Sequence, residues 1–116
     1  MTERGMSEQV FLILTALADE PKHGYGIVQA VEKLSENRVR LRVGTLYGVL
    51  DRLVADGWAE RDKEEIHQGR LRRYYRLTDL GGRTLAEQTR RLAANAAAAD
   101  SVLRARGWAP RTGGEA

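Results

Sequence analysis

The sequence predicts a mainly helical α+β domain in which three short helices precede a two-stranded hairpin and a long helix closes the fold. Apolar residues recur at helical spacing before residue 56 and after residue 78, whereas short extended runs flank the segment HQGR at residues 67–70. A single domain of 116 residues buries only about two-thirds of its unfolded surface, so we expect either modest stability or help from a partner chain.

The first two helices are delimited by caps and breakers. Ser7 is a suitable N-cap for a first helix that ends near Ala18, and Pro21 prevents this helix from continuing. A second helix follows and should stop at residues 35–37. The side chains expected in the core of this region are Tyr25, Ile27, Val28, Val31 and Leu34.

The third helix carries the most informative pattern. It is predicted from Thr45, which can cap it or lie in its first turn, to Ala55, with Gly57 as a left-handed stop. Its apolar face consists of Leu46, Val49, Leu50, Leu53 and Val54. Tyr47 is not on that face, so the helix must present an aromatic side chain to something other than the core.

The hairpin is predicted from a change of period. Residues 58–77 show no helical stripe, and Gly69 supplies a turn between two extended runs. Trp58, Tyr75 and Leu77 are the expected inward residues. The exposed tip should be formed or flanked by Glu64, Glu65, His67, Gln68, Arg70 and Arg72.

A long last helix is predicted from Asp79 to Arg106, with Thr78 as its cap and Gly107 as its end. Its alanine-rich run favours a helix that another helix can approach closely. Three short helices and a hairpin cannot cover so long an apolar stripe, so self-association is the natural solution, and packing back on the same chain is the alternative. The residues assigned to the dimer face are Leu85, Leu92, Ala96, Ala99, Val102 and Leu103.

Composition excludes several functions. The chain has no Cys, and its two histidines, His23 and His67, are far apart in sequence, so we expect no metal site and no cofactor. His23 is interpreted as a packed turn residue. Without a nucleophile paired with a base, or a Gly-rich phosphate loop, the chain is not expected to be an enzyme. It has neither a membrane-length apolar run nor a signal-peptide pattern, which indicates a cytoplasmic protein.

Basic charge is concentrated in two acid-free windows, although the formal net charge is only +3. These windows contain Arg38, Arg40 and Arg42, and then Arg70, Arg72, Arg73 and Arg76. Such a concentration indicates an anionic polymer as partner. The alternative is two solvated charge runs. Arg73 and Arg76 could also pair with Glu60, Glu64 or Glu65 across the hairpin.

The order of the elements predicts a winged helix-turn-helix. In that fold the third helix enters the major groove of DNA, and the hairpin, termed the wing, reaches the flanking backbone. Small domains that bind proteins can share the same order of elements. The alternative function is therefore a winged-helix protein-interaction module without sequence-specific DNA binding.

Three segments of the chain resemble the PadR family of bacterial transcriptional regulators. They are HGYGIVQAVE at residues 23–32, VGTLYGVLDRLVADGW at 43–58 and RRYYRLTDLGGRTL at 72–85. The resemblance implies a homodimeric regulator of the family's compact subgroup, usually a repressor, that binds double-stranded DNA at an inverted repeat and is often released by a small molecule. Gly48 and Val43 depart from the family pattern, where a proline commonly follows the tyrosine and a small or polar residue is frequent before the glycine.

The candidate DNA contacts come from the third helix, the segment before it and the wing. They are Gly44, Thr45, Tyr47, Gly48, Arg52, Arg40, Arg42, Arg70 and Arg72. For Arg52, a surface ion pair with Asp51 or Asp56 is the alternative. Trp108, near the end of the dimerising helix, is a candidate wall of a pocket for a flat aromatic effector, or else a packing anchor.

These features divide the chain into four predicted parts. Residues 1–6 are expected to be a disordered N-terminus and residues 7–78 the DNA-binding winged helix-turn-helix domain. Residues 79–107 form the dimerisation helix, and residues 108–116 a flexible tail.

Overall fold

The computed structural model describes residues 6–108 and confirms the predicted mainly helical winged helix-turn-helix fold with a long C-terminal helix. The elements are α1 (Glu8–Asp19), β1 (Lys22–His23), α2 (Gly24–Leu34), α3 (Val43–Ala55), β2 (Ala59–His67), β3 (Arg70–Leu77) and α4 (Asp79–Ala105). Only β1 was not predicted, because a strand of two residues leaves no periodic pattern in the sequence. The predicted disorder of residues 1–5 and 109–116 concerns positions outside the described residues.

One hydrophobic core holds the first three helices and the sheet together. Leu46, Leu50 and Leu53 form the buried face of α3, as their spacing predicts, and Tyr75 of β3 is buried with them. Trp58 and Leu77 pack against the edge of this core. The side of the hairpin that faces the core is therefore the side that the sequence predicts.

Two residues expected in the core are exposed instead. Leu34 is 48% exposed because it is the last residue of α2, where the apolar stripe runs past the core. Tyr25 is 59% exposed because it lies about 120° around the same helix from Val31 of the buried face. Conversely, Met6, which was assigned to the disordered start, is half-buried against the core.

The helix ends follow local sequence rules. The Ser7 Oγ accepts a hydrogen bond from the Val10 amide at 3.1 Å, and Gly57 and Gly107 adopt left-handed φ angles of 81° and 84° just after α3 and α4. The exception is the start of α3, which begins at Val43, two residues before the predicted start. Thr45 therefore lies in the first turn and does not cap the helix.

The three strands form an antiparallel sheet in the order β1-β3-β2. The turn between β2 and β3 consists of Gln68 and Gly69, whose φ angles of 53° and 78° are those of a tight type I′ hairpin. A β-bulge between Arg61 and Glu64 shifts the register of the hairpin. Beyond the bulge, residues 64–73 form the end of the hairpin, which is termed the wing tip below.

The chain divides after Leu85 into two compact units, so the first residues of helix α4 belong to one unit and the rest of the helix to the other. In the first unit, a Cβ at Gly81 would collide with the Trp58 carbonyl, and Leu85 packs at the edge of the core. In the second unit, Leu92 and Val102 of the predicted dimer face are 44% and 62% exposed. Among residues 6–108, no helix combines the length and apolarity that a membrane span requires.

Candidate nucleic-acid interface

A cleft of about 600 Å³ lies between the first turns of α2 and α3 and the wing tip. Its walls combine aromatic, aliphatic and cationic side chains. The lining residues are His23, Tyr25, Val43, Tyr47, His67, Gln68, Arg70, Leu71 and Arg72. Three of the candidate DNA contacts, Tyr47, Arg70 and Arg72, are thus brought together although Tyr47 is more than 20 residues from both arginines in the chain.

Tyr47 reaches from α3 to the first residue of α2. Its side chain is 40% exposed, and a Cβ added at Gly24 would lie 2.6 Å from the tyrosine hydroxyl oxygen. Within residues 6–108 this hydroxyl has no hydrogen-bond partner. A phenol hydroxyl that is free to donate beside the start of a helix is well placed for a phosphate oxygen.

Helices α2 and α3 begin without a side-chain cap. Their N-cap residues, His23 and Arg42, make no side-chain hydrogen bond to the first turn, whereas Ser7 and Thr78 accept such bonds at the starts of α1 and α4. The amide groups of these two first turns are therefore left to solvent or to a ligand. The helix dipole favours an anion at the same positions.

The outer surface of α3 is open over its first two turns. A Cβ added at Gly44 or Gly48 would meet nothing within 4 Å, so a partner can approach the helix backbone closely there. Thr45 and Arg52 are exposed beside these glycines. Within residues 6–108 Arg52 has no carboxylate partner, so the alternative ion pair with a neighbouring aspartate is not formed.

Ion pairing separates the arginines into two groups. Arg73 binds Glu64 at 3.1 Å and Arg76 binds Glu60 at 2.7 Å, measured from Nε to a carboxylate oxygen, as predicted for the hairpin. Arg38 binds a glutamate of α1 at 3.1 Å. The arginines without a carboxylate partner in the described part of the chain include Arg40, Arg42, Arg52, Arg70 and Arg72. Positive charge without an ion pair therefore remains on the candidate DNA contacts, although Glu65 lies close enough to Arg72 for the two charges to interact.

His23 packs at the junction of α2 and the sheet. Its ring centroid is 5.3 Å from that of Tyr74, and burial, followed by the charge of Arg72, lowers the pKa of His23 below its usual 6.5. The Tyr74 hydroxyl donates to Glu65 at 2.7 Å, and this hydrogen bond lowers the pKa of the Glu65 carboxyl. No group of three metal-binding side chains occurs among residues 6–108.

Sequence reasoning missed the contribution of α2 to this cleft. The exposed Tyr25 was expected in the core, and His23 was not connected with the wing. The short strand β1 makes that connection, because it pairs His23 with Tyr74 of β3. The apolar cleft residues Val43 and Leu71 were also not among the candidates, since apolar side chains are usually assigned to the core.

The fold and the cleft define a class of protein. A helix with an open N-terminal face, unpaired arginines before and after it and a projecting hairpin together form the arrangement of winged helix-turn-helix transcriptional regulators. Residues 13–87 match the transcriptional regulator PadR-like family. A transcriptional regulator of Mycobacterium tuberculosis is 40% identical over 80 residues, which cover 69% of this chain and 71% of that protein. The chain belongs to the PadR-like family of transcriptional regulators, and this agrees with the expectation that it is not an enzyme.

Solved structures share the same fold. A PadR-like transcriptional regulator of Bacillus cereus has a TM-score of 0.66 at 23% identity, over 80% of this chain and 88% of that one. PadR of Bacillus subtilis, solved in complex with operator DNA, has a TM-score of 0.59 at 22% identity, over 66% of this chain and 44% of that one.

Proposed function

We propose that this transcriptional regulator binds an inverted-repeat operator as a homodimer, with α3 in the major groove and the wing tip at the adjacent minor groove. The observation that carries the proposal is the uneven pairing of the arginines. Those of the cleft lack a carboxylate partner within residues 6–108, whereas Arg38, Arg73 and Arg76 have one. DNA phosphates supply the missing negative charge. The B. subtilis PadR, which was solved with its operator, supports this docking through its similar fold.

One DNA strand crosses the cleft in this arrangement. The Tyr47 hydroxyl and the free amides at the start of α2 bind one phosphate, and Arg70 and Arg72 bind the backbone from the wing side. The outer surface of α3, open at its two glycines, then faces the base edges. Thr45 and Arg52 are the exposed side chains that hydrogen-bond to bases or phosphates there, and Arg40 and Arg42 attract the flanking phosphates.

The dimer forms through the second half of α4. Most of the stripe assigned to this interface is exposed in the single chain, with Leu103 half-buried, and its alanines allow a second helix to approach closely. It comprises Leu92, Ala96, Ala99, Val102 and Leu103, with Leu85 at the end that packs on the core. A symmetric dimer places its two α3 helices on half-sites about 10 base pairs apart, centre to centre.

The regulator acts in the cytoplasm as a repressor that a small aromatic molecule releases. Trp108 is 73% exposed at the end of α4, where its indole provides an apolar surface for such an effector beside the dimer face. Tryptophan fluorescence titrated with aromatic ligands tests this part, with Trp108→Leu as the variant that should lose the signal change. Because the second tryptophan, Trp58, remains in that variant, it reports whether the fold persists.

Footprinting at physiological salt on the DNA upstream of the chain's own gene tests the main proposal. A protected palindrome is the expected result, and in vitro transcription from the same fragment should then fall on addition of the protein. A protein-interaction module predicts the opposite result. Its basic face would bind all duplexes weakly and would release them at moderate salt.

A further inference from the structure

Two large aliphatic side chains of the wing tip are exposed and are not part of the core. Ile66 and Leu71 are 75% and 55% exposed, the highest values among the large aliphatic side chains of residues 6–85. They are direct partners in the register of the hairpin, so their side chains form one patch. A contiguous apolar patch on an otherwise charged projection marks an interaction surface more often than a single exposed leucine does.

The hairpin fixes the direction of this patch. Successive strand residues alternate between faces, so Leu71 shares a face with Arg73 and with the buried Tyr75. That face is the one turned toward the helices, and Leu71 lines the same surface depression as Tyr47. The tight turn at Gln68 and Gly69 fixes the two strands next to each other and so keeps both side chains on this face. The patch is therefore continuous with the proposed DNA-binding surface.

Charge around the patch identifies its partner. Arg70 and Arg72 flank Leu71 in the chain, and neither has a carboxylate partner within residues 6–108. By the same alternation their side chains lie on the other face of β3, yet both line the cleft together with Leu71. The two faces of the wing tip together therefore require a partner that presents apolar walls and anionic rims. The minor groove of duplex DNA has this chemistry, because deoxyribose C–H groups form its walls and phosphates form its rims.

We infer that Ile66 and Leu71 enter the minor groove next to the half-site and pack against its deoxyribose walls, while Arg70 and Arg72 hold the phosphates at the rims. The inference rests on the proposed function and adds an apolar, salt-independent component to it. It also assigns a role to the two exposed aliphatic side chains of the wing tip.

The test uses the full chain and a duplex that the wild-type protein has enriched from a random-sequence pool. The double variant Ile66→Thr/Leu71→Thr keeps strand-forming residues but replaces apolar groups by hydroxyls. We expect its affinity to fall about tenfold at every salt concentration, since the lost contact is worth about one methylene group on each of the two side chains. The slope of log K against log salt should stay unchanged, because no phosphate contact is removed.

Hydroxyl-radical footprinting locates the loss, because the radical attacks sugar hydrogens along the minor groove. Protection at the wing position should disappear in the Thr variant and persist at the centre of the half-site. The control Ile66→Leu/Leu71→Ile, which keeps the number of apolar carbons, should keep both protections and an affinity within about twofold of wild type. Thermal unfolding checks that the variants fold, and Leu71→Thr alone replaces the double variant if that one does not.

Three outcomes would overturn the inference. Wild-type affinity and protection in a folded Thr variant would mean that the pair does not contact DNA. A smaller salt slope would trace the loss to displaced arginines, and a lower molar mass without DNA would place the pair at a protein interface. Failure of the proposed function is distinct from these, because the wild-type chain would then enrich no sequence from the pool.

Discussion

At the level of single residues, the position of Tyr47 depends on the missing side chain of Gly24. The tyrosine hydroxyl occupies the space where a Cβ at residue 24 would lie. Because Gly24 is also the first residue of α2, this contact holds the hydroxyl beside the free amides of that helix. Two residues that are 23 positions apart in sequence thus form one proposed phosphate site.

The variant Gly24→Ala displaces Tyr47 without removing it. A methyl group there would contact the far end of a movable side chain, so the protein should fold. Affinity for the selected duplex should fall about tenfold, similar to Tyr47→Ala, which is the value of one charge-assisted hydrogen bond. Fluorescence anisotropy titrations of both variants measure it.

A matched control for this substitution is Gly82→Ala, another helical glycine replaced where an added Cβ makes only an ordinary 3.7 Å contact with Leu77. It should leave DNA binding unchanged. If Gly24→Ala bound DNA like wild type while Tyr47→Ala did not, the contact with α2 would not be what positions the tyrosine for DNA.

His23 makes the stability of the fold depend on pH. Burial and the charge of Arg72 lower its pKa in the folded protein, so between that value and the ordinary 6.5 the unfolded chain binds more protons than the folded one. The free energy of unfolding should therefore be constant above pH 6.5, as far as His23 is concerned, and should decrease as the pH falls below it.

Urea unfolding of wild type and His23→Gln at about pH 7.5 and about pH 5.5 measures this dependence. The neutral glutamine removes the titration, so the variant should lose less stability than wild type between the two conditions. An equal loss in both proteins would assign the dependence to other groups.

At the level of elements, the hairpin separates ion-paired from unpaired arginines by register. Arg73 is the partner of Glu64 across the strands and binds it, whereas Arg72 is the partner of Glu65, whose carboxylate accepts from Tyr74 instead. Adjacent residues of one strand thus have opposite roles. Arg73 holds the wing together, and Arg72 is left for the cleft.

Arg72→Ala and Arg73→Ala are therefore a matched pair of variants. Loss of Arg72 should lower the slope of log K against log salt by about one unit, because one phosphate contact and its released counterions are lost. Loss of Arg73 should leave that slope unchanged and reduce stability by less than about 1 kcal/mol, the usual value of an exposed ion pair. Electrophoretic mobility shifts over a series of salt concentrations distinguish them, and equal slopes for the two variants would contradict the assignment.

The same hairpin shows how far the sequence determines the structure. Its turn, its inward residues and the pairs of Arg73 and Arg76 follow from local patterns, and the structure confirms them. Helical spacing places Tyr25 about 120° around α2 from Val31, so its exposure follows from the pattern. Its contribution to the cleft could not be predicted, because that depends on where the wing tip lies relative to α2. The sequence also could not show that Arg72 has no ion pair, because this depends on the hydrogen bond that the Tyr74 hydroxyl donates to Glu65.

At the level of the whole molecule, the proposed operator binding depends on two copies of the chain. A single winged domain offers one set of unpaired arginines, which gives salt-sensitive binding with little preference for sequence. Linking two domains through α4 makes the second half-site an intramolecular contact, and this raises affinity by about 10² or more without any new contact to DNA. The exposed stripe on the second half of α4 is thus as important to the proposed function as the cleft itself.

Leu92→Glu tests this dependence directly. Leu92 is 44% exposed in the single chain, so a charge there should leave the helix folded but prevent a second apolar face from packing against it. Analytical ultracentrifugation should report a dimer for wild type and a monomer for the variant. Operator affinity should fall about a hundredfold, while binding to a single half-site stays unchanged.

The control for that variant is Ala94→Glu, which adds the same charge on the opposite side of α4, two residues along the helix. It should remain dimeric and bind the operator like wild type, because position 94 is outside the stripe. If Leu92→Glu stayed dimeric, or if Ala94→Glu dissociated equally, the dimer face would lie elsewhere on the chain. If Leu92→Glu became monomeric but kept full operator affinity, one winged domain would be sufficient for recognition, and the inverted repeat would not be the site that this regulator reads.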